Sequence, residues 1–142
     1  MPYTFIAIPL IVGFVAQFVK FLWRSRNGHI AWNAFNSYGG MPSTHTAITT
    51  SLVTVVGIQN GIDTMEFAIA LFFTLIVIRD AIGFRQYLSA HSKALNRLVS
   101  DLPGDEQVGF QYYRERIGHT PAEAFAGAVL GIGLGALLTV LL

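Results

Sequence analysis

The stretch Gly39-Gly40-Met41-Pro42-Ser43-Thr44-His45 decides how this chain is read. Two glycines, a proline, two hydroxyl residues and a histidine describe a turn that opens into a helix. Proline is pre-set for the first helical turn, where its missing N–H costs nothing. The unpaired N–H groups and positive dipole end of such a helix favour a phosphate or another anion. A histidine in that turn is placed to hand a proton to whatever is bound there. An ordinary helix cap uses the same residue types, so the stretch acquires meaning only from its surroundings.

Those surroundings are apolar. Of 142 residues, 53% are hydrophobic and 12% charged, a composition that fits one membrane-embedded domain over residues 1–142 and not a soluble protein. The chain has no cysteine, which excludes disulfides, thiol chemistry and Cys-ligated metals. Four apolar runs are candidate spans: Tyr3 to Trp23, Thr44 to Ile58, Met65 to Phe84 and Pro121 to Leu142. A crossing helix needs about 20 residues, so the second is slightly short. The first has no basic leader region and no small-residue cleavage site before the charged loop, and is expected to be retained.

The basic residues fix an expected topology. Only Gln59-Asn60-Gly61-Ile62-Asp63-Thr64 separates the second and third runs, a tight turn without Lys or Arg. With four spans, all nine basic residues fall on the opposite side, which the positive-inside tendency makes cytoplasmic. The expected fold class is therefore all-α, an integral membrane helical bundle with about four transmembrane helices plus an interfacial helix. That interfacial helix is Gln86 to Ser100, where Leu88, Leu95, Leu98 and Val99 alternate with His91, Ser92, Lys93, Asn96 and Arg97. Residues 28–41 are aromatic and Asn-rich without periodicity, and read as an interfacial or re-entrant segment.

Polar residues inside the runs mark candidate function. Lys20 follows Gln17 by three, on one helix face, where polar groups point at protein and not at lipid. Thr46, Thr49, Thr50, Ser51 and Thr54 suit contact with other helices. Arg79 and Asp80 lie inside the interface, where they are either functional or an ion pair tying two helices together; Arg85 stands where the span meets the basic side. Asp101, Asp105 and Glu106 match no metal-ligand spacing. Thr120-Pro121 is a second proline-containing helix start, and His119 precedes Glu123 by four. The carboxylate can then hold one imidazole nitrogen and leave the other as nucleophile or base. Gly127, Gly131 and Gly135 form a small-residue stripe for close packing, within the chain or in a homo-oligomer.

In the four-span topology both histidine-bearing helix starts open to one membrane face, together with Lys20, Arg79, Asp80 and Arg85. Gly-Gly-Met-Pro-Ser-Thr-His at 39–45, Asp80 with Arg85 and Asn96, and Gly-His-Thr-Pro-Ala-Glu at 118–123 ahead of a Gly-rich apolar helix together carry a resemblance. The chain resembles the divergent branch of the type 2 phosphatidic acid phosphatase superfamily, which is related to vanadium-dependent haloperoxidases. The resemblance implies a metal-independent phosphatase, with no cofactor, that works through a phosphohistidine. It makes His119 the nucleophile, Glu123 its orienting carboxylate, His45 the general acid, and Ser43 and Lys20 phosphate binders. Thr44, Arg85, Arg79 and Arg116 are further phosphate-binding candidates, and Asp80, Gly40 and Asn96 supporting ones.

The chain departs from the superfamily pattern at several positions. Asn27 follows Lys20 after six intervening residues, where that pattern has Arg-Pro. Thr44 replaces a Gly, Tyr113 replaces the Arg six positions before the nucleophile, and Glu123 replaces an Asp. Arg79, Arg85, Arg114 and Arg116 are candidates for the missing guanidinium. The expected substrate is a lipid phosphate such as phosphatidylglycerophosphate, phosphatidic acid or a polyprenyl phosphate, met in the cytoplasmic membrane at a cytoplasm-facing site. Membrane lipids are the expected partners and nucleic acid is not. The alternative is a non-catalytic protein that binds or moves an anionic lipid on the same fold.

Overall fold

Each apolar run becomes a helix in the computed structural model, which describes residues 3–25, 40–104, 109–115 and 117–142, with the backbone alone at Arg24. The helices are α1 (Thr4–Ser25), α2 (Thr44–Gln59), α3 (Met65–Ile82), α4 (Phe84–Ser100) and α5 (Pro121–Leu141). The described residues contain no strand. Arg26, Arg116 and the expected interfacial segment, apart from Gly40 and Met41, lie outside the described residues.

Three stretches are long and apolar enough to cross a membrane: Thr4–Trp23, Met65–Ser100 and Pro121–Leu141. The second of these joins α3 to α4. With 16 residues, α2 reaches about 24 Å, short of a hydrocarbon core of about 30 Å.

That short helix is the centre of the bundle, packed against α1, α3 and α5. Its inward positions are small or hydroxylated: Ser43, Thr46, Ala47, Thr49, Thr50, Ser51, Val55 and Val56 are buried. The hydroxyls are satisfied locally. Thr49, Thr50 and Thr54 donate to carbonyls four residues back, at 3.1, 2.7 and 2.8 Å, and Ser51 donates to the Ile48 carbonyl at 2.7 Å. The Thr74 hydroxyl on α3 instead crosses between helices, from Oγ1 to the Thr49 carbonyl at 3.1 Å. Large apolar side chains point outward instead, among them Ile6, Leu10, Phe14, Phe72, Ile76, Phe125 and Val129. Small residues inside and bulky ones outside is the pattern of helices packed in lipid.

Contacts along the chain fix the direction of each helix. Thr4 Oγ1 donates to Gln59 Oε1 at 3.0 Å and Thr44 Oγ1 to Gln17 Oε1 at 2.9 Å, so α1 runs antiparallel to α2. The turn after α2 uses Gly61 at φ +97°, a left-handed conformation that suits glycine, and Thr64 caps α3 by accepting from Phe67 N at 3.3 Å. That turn sends α3 back antiparallel to α2. On α5, Gly127 lies on Ser43, Gly131 on Ala47 and Thr50, and Gly135 on Ser51, so α5 runs parallel to α2. The glycine stripe therefore finds its partner within the chain.

A Cβ at Gly131 would run into Thr50 Oγ1 and the Ala47 carbonyl, and the carbonyl, being backbone, cannot yield without moving α2. Gly131→Val is expected to lower stability by about 1–3 kcal/mol or more through overpacking. A thermal melt of the detergent-solubilised variant checks this, and a wild-type midpoint would contradict the packing described.

Candidate active site

Helix direction brings the end of α1, the start of α2, the end of α3 and the start of α5 to one end of the bundle. The decisive link is a backbone hydrogen bond from Ser43 N to the Glu123 carbonyl, 3.0 Å long. It joins the two proline-containing helix starts directly. Both dipoles then present their positive ends at the same place.

At the start of α5, Thr120 is the N-cap and Pro121 the first helical residue. Thr120 Oγ1 accepts from Glu123 N at 3.2 Å, and Glu123 Oε2 accepts from Thr120 N at 3.1 Å, which closes a capping box. The same Oε2 lies 3.1 Å from His119 Nδ1. An ionised carboxylate can only accept, so Nδ1 carries the proton and Nε2 keeps its lone pair. His119 and Glu123 are 5% and 6% exposed, which removes water that would compete for this bond. Burial holds the His119 pKa below the usual histidine value of 6.5; the Glu123 hydrogen bond opposes that shift, and the charges of Lys20 and His45 reinforce it. The imidazole is therefore neutral at neutral pH.

Lys20 and His45 lie near enough for their charges to act on His119. Lys20 is buried, with Gln17 one turn away on α1. His45 is exposed in the first turn of α2 and lies within reach of the charges on Arg85, Lys20 and Asp80. Gly40, at φ +101°, makes the turn that aims this segment. Ser43 is different: it is fully buried under Gly127, and its hydroxyl accepts from Thr46 Oγ1 at 3.0 Å. The Thr44 hydroxyl is engaged with Gln17.

Asp80 and Arg85 form the interhelical ion pair that the sequence allowed. Arg85 Nε donates to Asp80 Oδ2 at 2.7 Å across the α3–α4 elbow at Gly83. Arg85 also lies beside the nucleophile candidate, because Gly118 packs on the Arg85–Gln86 backbone so closely that a Cβ would come within 2.9 Å. Arg79 is exposed on the outer face of α3. Asn96 bonds to none of the described histidines. Its Nδ2 donates to the Tyr113 carbonyl at 2.8 Å and to Glu115 Oε1 at 3.0 Å, and its Oδ1 accepts from Tyr113 N at 2.8 Å.

Three contacts invisible in the sequence complete the mounting of His119. Its N–H donates to the Ala81 carbonyl at 3.1 Å, its carbonyl accepts from Gln86 Nε2 at 3.0 Å, and Ser89 Oγ accepts from Ile117 N at 3.0 Å. The polar face of α4 thus brackets the loop that carries the histidine. No local pattern signals Gln86 or Ser89. The capping box was legible as Thr-x-x-Glu at 120–123. Asn96→Ala, which strips three bonds from a buried amide, is expected to cost about 1–3 kcal/mol. It should also speed chymotrypsin cleavage at the already exposed Phe110, Tyr112 and Tyr113 by freeing the Tyr113 backbone; wild-type resistance would show that this clamp is idle.

A profile of the Divergent PAP2 family matches residues 3–134, nearly the whole chain and both histidine segments. The chain belongs to that family. It is also 34% identical, over an alignment of 112 residues covering 71% of each chain, to the uncharacterized membrane protein YuiD of Bacillus subtilis (strain 168). No solved structure matches. Family membership, the apolar helices and this relative identify a membrane protein of a PAP2-related branch, as the motifs at 39–45 and 118–123 imply.

Proposed function

We propose that the protein is a membrane lipid phosphatase that cleaves a phosphomonoester, or a pyrophosphate, through a phosphohistidine on His119. The observation that supports this reading best is the Ser43 N to Glu123 carbonyl bond, which sets the His45 helix start beside the His119–Glu123 pair. In this reading α1, α2, α3 and α5 cross the membrane and α4 lies at its surface, with the histidines facing the cytoplasm beside the basic segments.

The chemistry follows from the protonation pattern. The Nε2 lone pair of His119 attacks phosphorus while the bond from phosphorus to the lipid oxygen breaks, and protonated His45 gives that oxygen its proton. Water then attacks the phosphohistidine, His45 takes a proton from it, and inorganic phosphate leaves. Lys20, the Arg85 guanidinium and the N–H groups at the start of α2 stabilise the charge on the equatorial oxygens. Thr44, whose hydroxyl proton is donated to Gln17 Oε1, and the buried Ser43 act chiefly through their backbone positions at the same helix start.

Phosphate release from phosphatidylglycerophosphate, phosphatidic acid and polyprenyl phosphates, with and without vanadate and a chelator, tests this function. Turnover blocked by vanadate and indifferent to chelator is expected. Tight lipid binding without release from any of these substrates would instead mark a binding or transport protein.

A further inference from the structure

The face of α3 turned away from α2 carries a feature that the reaction above does not use. Phe72, Leu75, Ile76, Arg79, Asp80 and Phe84 line a groove of about 530 Å³ where α3 meets α4. This volume falls within the range of about 300–1,000 Å³ usual for small-molecule pockets. The buried α3 residues Ala70, Thr74 and Ala81 lie on the opposite side of the helix, against the bundle. The four apolar lining residues are all exposed, Phe84 by 71% and Leu75 by 51%, so the groove opens toward lipid.

Its polar end is chemically lopsided. The Asp80 carboxylate is engaged by Arg85 at 2.7 Å, whereas the exposed Arg79 guanidinium makes no hydrogen bond or ion pair among the described residues. The groove therefore offers an apolar trough ending in an exposed cation that no described residue pairs. A membrane lipid with an anionic headgroup complements both parts, since a cation inside the interface is costly without an anion.

The elbow connects this groove to the histidines. Asp80 and Phe84 face the groove, while Ala81 accepts from His119 N and Arg85 and Gln86 pack on Gly118. Groove and nucleophile thus lie on two sides of the same few residues. Resting on the phosphatase reading, we infer that this groove is the docking site for the hydrocarbon chain of the lipid phosphate, with Arg79 capturing its phosphate before transfer to Arg85 and Lys20.

The test uses full-length His119→Ala protein, which leaves the probe unconsumed, in phosphatidylcholine vesicles. The probes are phosphatidic acid and diacylglycerol, each with a diazirine in one acyl chain. Phosphatidic acid label should concentrate within residues 72–84 over the outward faces of α1 and α5. Leu75→Trp and Ile76→Trp, which fill the groove from two walls, should each reduce that label about tenfold, the equivalent of about 1.4 kcal/mol. Arg79→Gln should reduce phosphatidic acid labelling several-fold and leave diacylglycerol labelling unchanged.

Even labelling of all outward faces, or equal loss of both probes in Arg79→Gln, would overturn the assignment. The two readings fail separately. Absence of phosphate release by the native chain defeats the phosphatase reading and leaves the labelling pattern standing; uniform labelling with normal turnover does the reverse.

Discussion

His119→Ala is expected to lower phosphate release from a lipid phosphate by at least about a thousandfold, because it removes the group that carries the covalent intermediate in the proposed reaction. Binding of the lipid should survive, since Lys20, Arg85 and the α2 helix start remain. The loss should appear in kcat and not in KM. The native protein adds a pH signature. Burial keeps the His119 pKa below 6.5, so the neutral nucleophile persists somewhat below that pH, and activity falls only as acid protonates it. The same shift favours folding above the unfolded value of about 6.5 and is lost as pH falls through the depressed folded value. Acid should therefore weaken activity and stability together. In His119→Ala the stability component should be absent.

Glu123→Gln is expected to be the next most severe change, at about 10² to 10⁴ in kcat. A neutral amide can present its NH₂ to Nδ1 and no longer enforces the tautomer that leaves Nε2 unprotonated. Glu123→Ala should be worse for the fold, because the carboxylate also accepts from Thr120 N at 3.1 Å and closes the capping box, a contribution of about 1 kcal/mol. Comparing the two separates orientation of the imidazole from capping of α5. If the melting temperature of Glu123→Gln falls as far as that of Glu123→Ala while kcat is unchanged, the carboxylate is a cap alone.

Local residue order carried much of this structure. The end of α2 and the starts of α3 and α5 follow from the Asn60-Gly61 turn and Thr120-Pro121, which are signals read within a few residues, whereas Pro42, expected in the first turn of α2, precedes its N-cap Ser43, whose side chain makes no cap bond. The His119–Glu123 pair follows equally from a spacing of four on a helix start. Other features are set by tertiary contact and leave no local trace. The glycine stripe announces a close approach, but only the structure assigns it to α2 instead of a second copy. Asn96, grouped with the site by motif, holds the Tyr113 backbone, and Gln86 and Ser89 hold the His119 loop without any pattern that marks them. Ser43, the presumptive phosphate hydroxyl of the motif, is fully enclosed because Gly127 lets α5 come down on it.

The membrane explains this division. Without a hydrophobic drive between helices, the bundle coheres through small residues and hydroxyls, and these types are placed by shape instead of by a strong apolar period. The outward faces of α1, α3 and α5 are legible because lipid demands bulk and apolarity there. The inner face of α2 is legible only as composition.

The proposed reaction turns on a phosphohistidine at His119. Rapid mixing of the native protein with a lipid labelled in its phosphate, quenched in base and digested, is predicted to give one acid-labile, base-stable phosphopeptide containing His119. The adduct should accumulate in a burst and vanish in His119→Ala. Continued turnover with label on another residue, or with no covalent adduct at all, would contradict the account.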